Sequence, residues 1–126
     1  MVGDGSFIML HSELVTAIEL QQKMTIILFD NSGFQCIQNL QCSNGSNSFK
    51  TQLTVPIDFQ KYAQALGVKT YLANNAYQLS EALKAARIEK NSVLIELKVD
   101  PRSMSQGYDS WWRVATEGNE NLKEDS

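Results

Sequence analysis

Two stretches, Gly3-Asp4-Gly5-Ser6 and Phe29-Asp30-Asn31-Ser32-Gly33-Phe34, decide how this 126-residue chain folds. The first reads as a tight turn that ends one strand and opens a helix near Ser6. The second reads as the end of the next strand. One helix and a short connection lie between them, so the two belong to a strand–helix–strand unit. In a parallel sheet that unit brings the carboxyl ends of both strands to one edge. Asp4 and Asn31 should meet there, although 27 positions separate them. Open α/β sheets bind their ligands at that edge.

The residue types narrow the chemistry. Gly3 and Gly5 suit a sharp turn and a close approach of ligand to backbone. A helix opening beside them offers free N–H groups to a phosphate. Yet no Lys or Arg precedes Lys23, so a diphosphate here needs another source of positive charge. Asp4 offers a carboxylate, Asn31 an amide oxygen and the loop its carbonyls. These are hard donors, suited to Mg²⁺ or Ca²⁺ and poorly suited to zinc. The residues by themselves thus describe a metal–diphosphate site.

Gly3-Asp4-Gly5, 25 intervening residues and then Asn31 resemble the signature of thiamine diphosphate enzymes. The resemblance implies that Asp4, Asn31 and the carbonyl of Gly33 ligate Mg²⁺. It implies that Gly3, Gly5, Ser6 and Phe34 join them around the cofactor, with Gly5 and Ser6 meeting its diphosphate. Asp30 stands where the family usually has the first of two asparagines. Within the family, GDGSFIMLHSELVTAIEL (residues 3–20), LFDNSGFQCIQNL (28–40), GVKTY (67–71) and GYDSWWRV (107–114) look like the hydrolases of inositol catabolism. Those enzymes open the ring of trihydroxycyclohexane-1,2-dione to 5-deoxy-glucuronate. The resemblance further implies a homodimer or tetramer when full-length. The glutamate that activates the cofactor then lies in another domain, and other cofactor contacts lie upstream of Gly3. No catalytic residue is therefore expected in this chain, which alone should be inactive. Another thiamine diphosphate enzyme, such as an acetolactate-synthase-like lyase, and a non-catalytic binding module are the alternatives. An ordinary nucleotide binder is disfavoured, because neither GxGxxG nor GxxxxGK[ST] occurs.

Composition agrees with a soluble globule: 43% apolar, 20% charged, net charge −3. No basic cluster suggests nucleic acid, and no apolar run exceeds the four residues of 26–29, far too short for a membrane span. The spacing of Cys36 and Cys42 matches no zinc or redox motif, so reduced thiols and a cytoplasmic location are expected. Only Met1 and Val2 precede the turn, which suggests a first strand cut short and a chain that is part of a longer enzyme.

Further along, residues 7–22 predict a first helix with Leu10, Leu14, Ala17 and Ile18 on one face. Residues 25–29 predict a buried parallel strand. Phe34 and Ile37 open a short helical or irregular segment; Phe34 either lines the cofactor pocket or packs the loop on the core. Residues 41–51 are polar and read as a loop. Residues 58–66 predict a helix with Asp58 at its start and Gly67 as its stop. A strand over residues 68–72 follows. Asn75 and Gln78, at capping-box spacing, begin a helix to about Arg87, whose stripe is Leu79, Ala82, Leu83 and Ala86. Residues 92–99 predict the last strand, ended by Pro101. The alternation predicts an α/β fold, a parallel sheet with helices on both faces, over residues 1–115. An acidic, disordered tail is expected over 116–126. His11, the lone histidine, sits inside a helix without triad partners and is expected to serve structure. Trp111 and Trp112 are expected to pack on this domain or a neighbour.

Overall fold

The computed structural model describes residues 1–43 and 45–102. Four strands and five helices follow in the order β1 (Val2–Gly3), α1 (Asp4–Leu10), α2 (Ser12–Glu19), β2 (Thr25–Asp30), α3 (Gln35–Ser43), α4 (Phe59–Ala65), β3 (Lys69–Ala73), α5 (Ala76–Ile88) and β4 (Val93–Lys98). The sheet order is β1-β2-β4-β3, and every pairing is parallel. Asp30 lies opposite Lys98, Gly3 opposite Phe29 and Ala73 opposite Leu97, so all four carboxyl ends share one edge.

Alternation along the strands splits the core into two layers. On one face Ile26, Leu28 and Leu94 pack with Phe7 of α1, Leu14 of α2 and Phe59 and Ala63 of α4. On the other, Val93, Ile95 and Ala73 pack with Ala82 and Ala86 of α5. Leu14, Leu28 and Leu94 are fully buried, each contributing about 1.5–3 kcal/mol of transfer free energy. The expected α/β class, with helices on both faces of a parallel sheet, is the observed one.

The helix ends follow their local chemistry. Asp58 Oδ1 accepts the Lys61 N–H at 2.9 Å and starts α4. At its other end Gly67, with φ +76°, lets its own N–H reach Gln64 O and that of Val68 reach Ala63 O. Asn75 Oδ1 caps α5 through the Gln78 N–H at 2.9 Å. The Gln78 side chain returns to the Asn74 N–H at 2.8 Å, one residue beyond the usual capping-box partner.

Three expectations are corrected. The helix predicted over 7–22 begins at Asp4 and is two helices, with a turn at His11. Leu14 N–H bonds to His11 O, a tightened i+3 turn, and His11 Nδ1 is 2.6 Å from the Tyr62 hydroxyl of α4. Its stripe is Phe7, Leu14 and Ala17, whereas Leu10 is 66% exposed and Ile18 37%. Residues 41–43, expected in a loop, are the last turn of α3, and Cys36 and Cys42 stand exposed on that helix. Neither Gly3 nor Gly5 makes a left-handed turn: Gly3 is extended, with φ −79°, and Gly5 is helical. The tail, with Trp111, Trp112 and the boundary near residue 115, lies outside the described residues.

Candidate functional site

Asp4 is the first residue of α1 and only 1% exposed. Its Oδ1 accepts the Gly5 N–H at 2.9 Å, and its Oδ2 accepts the Gly33 N–H at 2.8 Å. Asn31 follows β2 directly. Its amide has two orientations that differ in chemistry. In one, its oxygen lies 3.1 Å from Asp4 Oδ1 and 2.9 Å from the Gly33 carbonyl, three acceptors face to face. In the other, its nitrogen donates to both. Asp4, Asn31 and Gly33 are thus brought together at the sheet edge. Among the described residues no cluster of three His, Cys, Asp or Glu side chains forms; the donors gathered here are one carboxylate, one amide and one carbonyl.

Glycine is required at two of these positions by close approach. A Cβ on Gly5 would lie 2.7 Å from the Phe34 ring, which packs over α1. A Cβ on Gly33 would lie 2.3 Å from the Thr51 carbonyl. That second crowding arises because residues 32–34 and 51–53 run antiparallel. Phe34 N–H bonds to Thr51 O at 2.7 Å and Leu53 N–H to Ser32 O at 2.9 Å. Phe34 is half-buried against Gly5. Ser6 is exposed, and Gly3 opens onto free space, with nothing within 4 Å of where its Cβ would be.

The turn between β2 and α3 rests on Asp30. This buried residue accepts the Ser32 N–H at 3.0 Å through Oδ1 and pairs with Lys98 Nζ through Oδ2. Lys98 also pairs with buried Glu96, whose other oxygen accepts from Gln60 Nε2 at 2.9 Å. Burial pushes the Asp4 carboxyl up from the ordinary aspartate value; the Gly5 and Gly33 N–H groups oppose this, and the neighbouring Asp30 adds to it. Burial pushes Asp30 up as well, but Lys98 and the Ser32 N–H outweigh it and hold that carboxyl down. Burial works against the Lys98 ammonium, yet its two carboxylate partners keep it above the usual lysine value.

Beside this turn opens a cavity of about 670 Å³, lined by Asn31, Gln35, Gln38, Gln52, Lys98 and Arg102 among others. Sequence reading missed Glu96, Lys98 and the three glutamines. The signal for the first two was present: Leu94-Ile95-Glu96-Leu97-Lys98 places opposite charges two apart, on one face of an otherwise apolar strand. His11 lies away from the site and, bonded to Tyr62, joins α1 and α2 to α4.

A family model described as the thiamine pyrophosphate enzyme C-terminal TPP binding domain matches residues 1–97. The chain belongs to this family of thiamine pyrophosphate enzymes. It is 48% identical over 134 residues to the 3D-(3,5/4)-trihydroxycyclohexane-1,2-dione hydrolase of Clostridium perfringens (strain 13 / Type A), covering 97% of this chain and 21% of that protein. A protein of the same name from Shouchella clausii (strain KSM-K16) is 50% identical over 120 residues, covering 90% of this chain and 19% of that one. The chain therefore spans about a fifth of the length of these relatives. Among solved structures, the Rhodococcus jostii RHA1 thiamine diphosphate-dependent 4-hydroxybenzoylformate decarboxylase shares the fold, with a TM-score of 0.71 at 23% identity, over 79% of this chain and 19% of that one.

Proposed function

We propose that this chain is the diphosphate-holding part of an enzyme that opens the ring of trihydroxycyclohexane-1,2-dione to 5-deoxy-glucuronate in myo-inositol degradation. Asp4, Asn31 and the Gly33 carbonyl would hold Mg²⁺, whose charge would offset that of the diphosphate of thiamine diphosphate. The observation that carries this reading is the convergence of the Asp4 carboxylate, the Asn31 amide and the Gly33 carbonyl within 3.1 and 2.9 Å at the sheet edge. With the amide turned so that its oxygen faces the ion, these three groups would hold Mg²⁺. An all-oxygen donor set with one carboxylate suits it as well.

The cofactor, when bound, supplies the nucleophilic carbon for cleavage of a C–C bond. The chain's own residues bind and orient. Asp4 brings the negative charge, and its second oxygen, on the Gly33 N–H, fixes the turn that presents the Gly33 carbonyl. Phe34, seated on Gly5, closes one side. Ser6, exposed at the start of α1, would meet the diphosphate. The amide-rich cavity suits a polyhydroxylated substrate, since amides both donate to and accept from hydroxyls. The rest of the active site comes from the remaining domains and from a second subunit, so the chain alone turns over no substrate.

Two experiments test this. Calorimetric titration of thiamine diphosphate with Mg²⁺ into the chain and into Asp4→Ala, with EDTA as control, tests the site. A chimera, in which this chain replaces the matching segment of the Clostridium perfringens hydrolase, tests the reaction. Ring opening that disappears in Asp4→Ala supports the proposal. A folded chimera that binds the cofactor but leaves the dione intact points to a different substrate. One that binds no cofactor points to a non-catalytic module.

A further inference from the structure

Lys98 stands at the end of β4 directly opposite Asp30, and its ammonium joins two buried carboxylates, Asp30 and Glu96. Asp30 is 7% exposed and Glu96 4%. A buried carboxylate without a partner would turn toward water or take up a proton. With Lys98 on Oδ2, Asp30 keeps Oδ1 on the Ser32 N–H at 3.0 Å. That bond sets the turn in which Ser32 adopts φ +66°. The same turn delivers the Asn31 amide and the Gly33 carbonyl to Asp4. The Val99 N–H, on the Asp30 carbonyl at 2.9 Å, ties the same two strands at this level.

We propose that Lys98 is a positioning residue: by pinning the Asp30 side chain it holds residues 30–33 in the turn that presents the cation ligands. The part concerning the cation rests on the function proposed above; the part concerning the turn does not. The Lys98 ammonium bonds to Asp30 and Glu96 rather than to Asp4, Asn31 or Gly33, and acts through Asp30.

Simple charge and positioning predict opposite signs. Removing a positive charge beside a cation site should tighten cation binding by Coulomb attraction. Loss of positioning should weaken it. The test measures Mn²⁺ binding by electron paramagnetic resonance, in a Glu96→Gln background so that Glu96 is not left as a lone buried charge. Lys98→Met should weaken Mn²⁺ about tenfold, the usual effect of losing a partner that orients a ligand. Lys98→Arg should restore most of the affinity. In an Asp30→Asn background, where a neutral amide can accept the Ser32 N–H without a cation, Lys98→Met should change affinity less than about twofold. Affinity that is unchanged or tighter in Lys98→Met overturns the proposal. If methionine prevents folding, Lys98→Gln takes its place with the same expected direction.

Hydrogen exchange separates the two parts. The Ser32 and Gly33 amides should exchange about tenfold faster in Lys98→Met than in the parent, with α5 amides unaffected. Unchanged exchange at Ser32 overturns the turn-positioning role whatever the metal result. Faster exchange in Lys98→Met, beside a parent that shows no Asp4-dependent Mn²⁺ binding, upholds that role and removes the metal reading alone.

Discussion

Asp4 Oδ2 accepts the N–H of Gly33 at 2.8 Å, a bond between residues 29 apart in sequence. It ties the first turn of α1 to the turn after β2, so one carboxylate is both candidate ligand and structural strut. Asp4→Ala should therefore abolish Mn²⁺ binding by paramagnetic resonance. It also strands the N–H groups of Gly5 and Gly33. Their loss, about 1–3 kcal/mol for each left unsatisfied, is partly offset by removing a buried charge. Urea unfolding should show a modest destabilisation, about 1–2 kcal/mol, beside a complete loss of metal affinity.

Gly5 and Phe34 should be coupled. Ala is the better helix former by about 1 kcal/mol, but here its methyl would press on the Phe34 ring. Gly5→Ala should destabilise the native chain by about 1–2 kcal/mol, as overpacking does. In a Phe34→Ala background the same change should stabilise by up to about 1 kcal/mol. A double-mutant cycle on denaturant midpoints reads the difference directly.

Gly33→Ala should be worse than Gly5→Ala. The obstacle is a backbone carbonyl held in an antiparallel bridge, which cannot swing aside as a ring can. About 3 kcal/mol of destabilisation is expected. The Phe34 amide, bonded to Thr51 O in the parent, should lose protection in hydrogen exchange.

Acid should act on the two aspartates in opposite senses. Asp30 is held below the ordinary value of 3.8, so the stability from its pairing is complete above about that pH and is lost as pH falls through its lower folded value. Asp4 is held above 3.8, so it takes up its proton earlier, and protonation relieves the cost of its buried charge. Mn²⁺ affinity should thus begin to fall at a pH above 3.8. Over the same interval the Asp4→Ala chain, which lacks this relief, should lose stability more steeply than the parent. Parallel pH profiles for the two chains would contradict the assignment.

Much of the fold is legible in the sequence because its signals are local. Asp58, Gly67 and Asn75 mark helix ends with their own side chains or backbone, and the apolar run of residues 93–95 marks a buried strand. The grouping of Asp4 with Asn31 follows from parallel connectivity and motif spacing. The interruption at His11 is not legible, because no Gly or Pro marks it and the apolar period runs on. What accompanies it is a hydrogen bond to Tyr62, 51 residues away. The same distance problem hides Lys98 from Asp30, 68 positions apart. Helix α3 was obscured by its amide-rich, weakly apolar composition, which resembles that of a loop.

Leu10 and Leu14 test this lesson. An uninterrupted helical stripe would bury both. Here Leu14 is 1% exposed and Leu10 66%. Leu14→Ala should cost about 2–5 kcal/mol in unfolding free energy, and Leu10→Ala less than about 0.5 kcal/mol. Equal costs would restore the continuous helix.

The antiparallel bridge between Gly33 and Gln52 gives the segment it encloses a separate evolutionary freedom. That bridge holds residues 33 and 52 together, so the chain between them starts and ends at almost one point. Lengthening such a closed loop is cheap, about 0.6 kcal/mol for each doubling. Descendants of this chain can therefore reshape the wall of the cavity by insertion and deletion. The ends of β1 and β2, which lead into Asp4 and Asn31, stay in register throughout, so the wall can diversify while the proposed cation site is inherited.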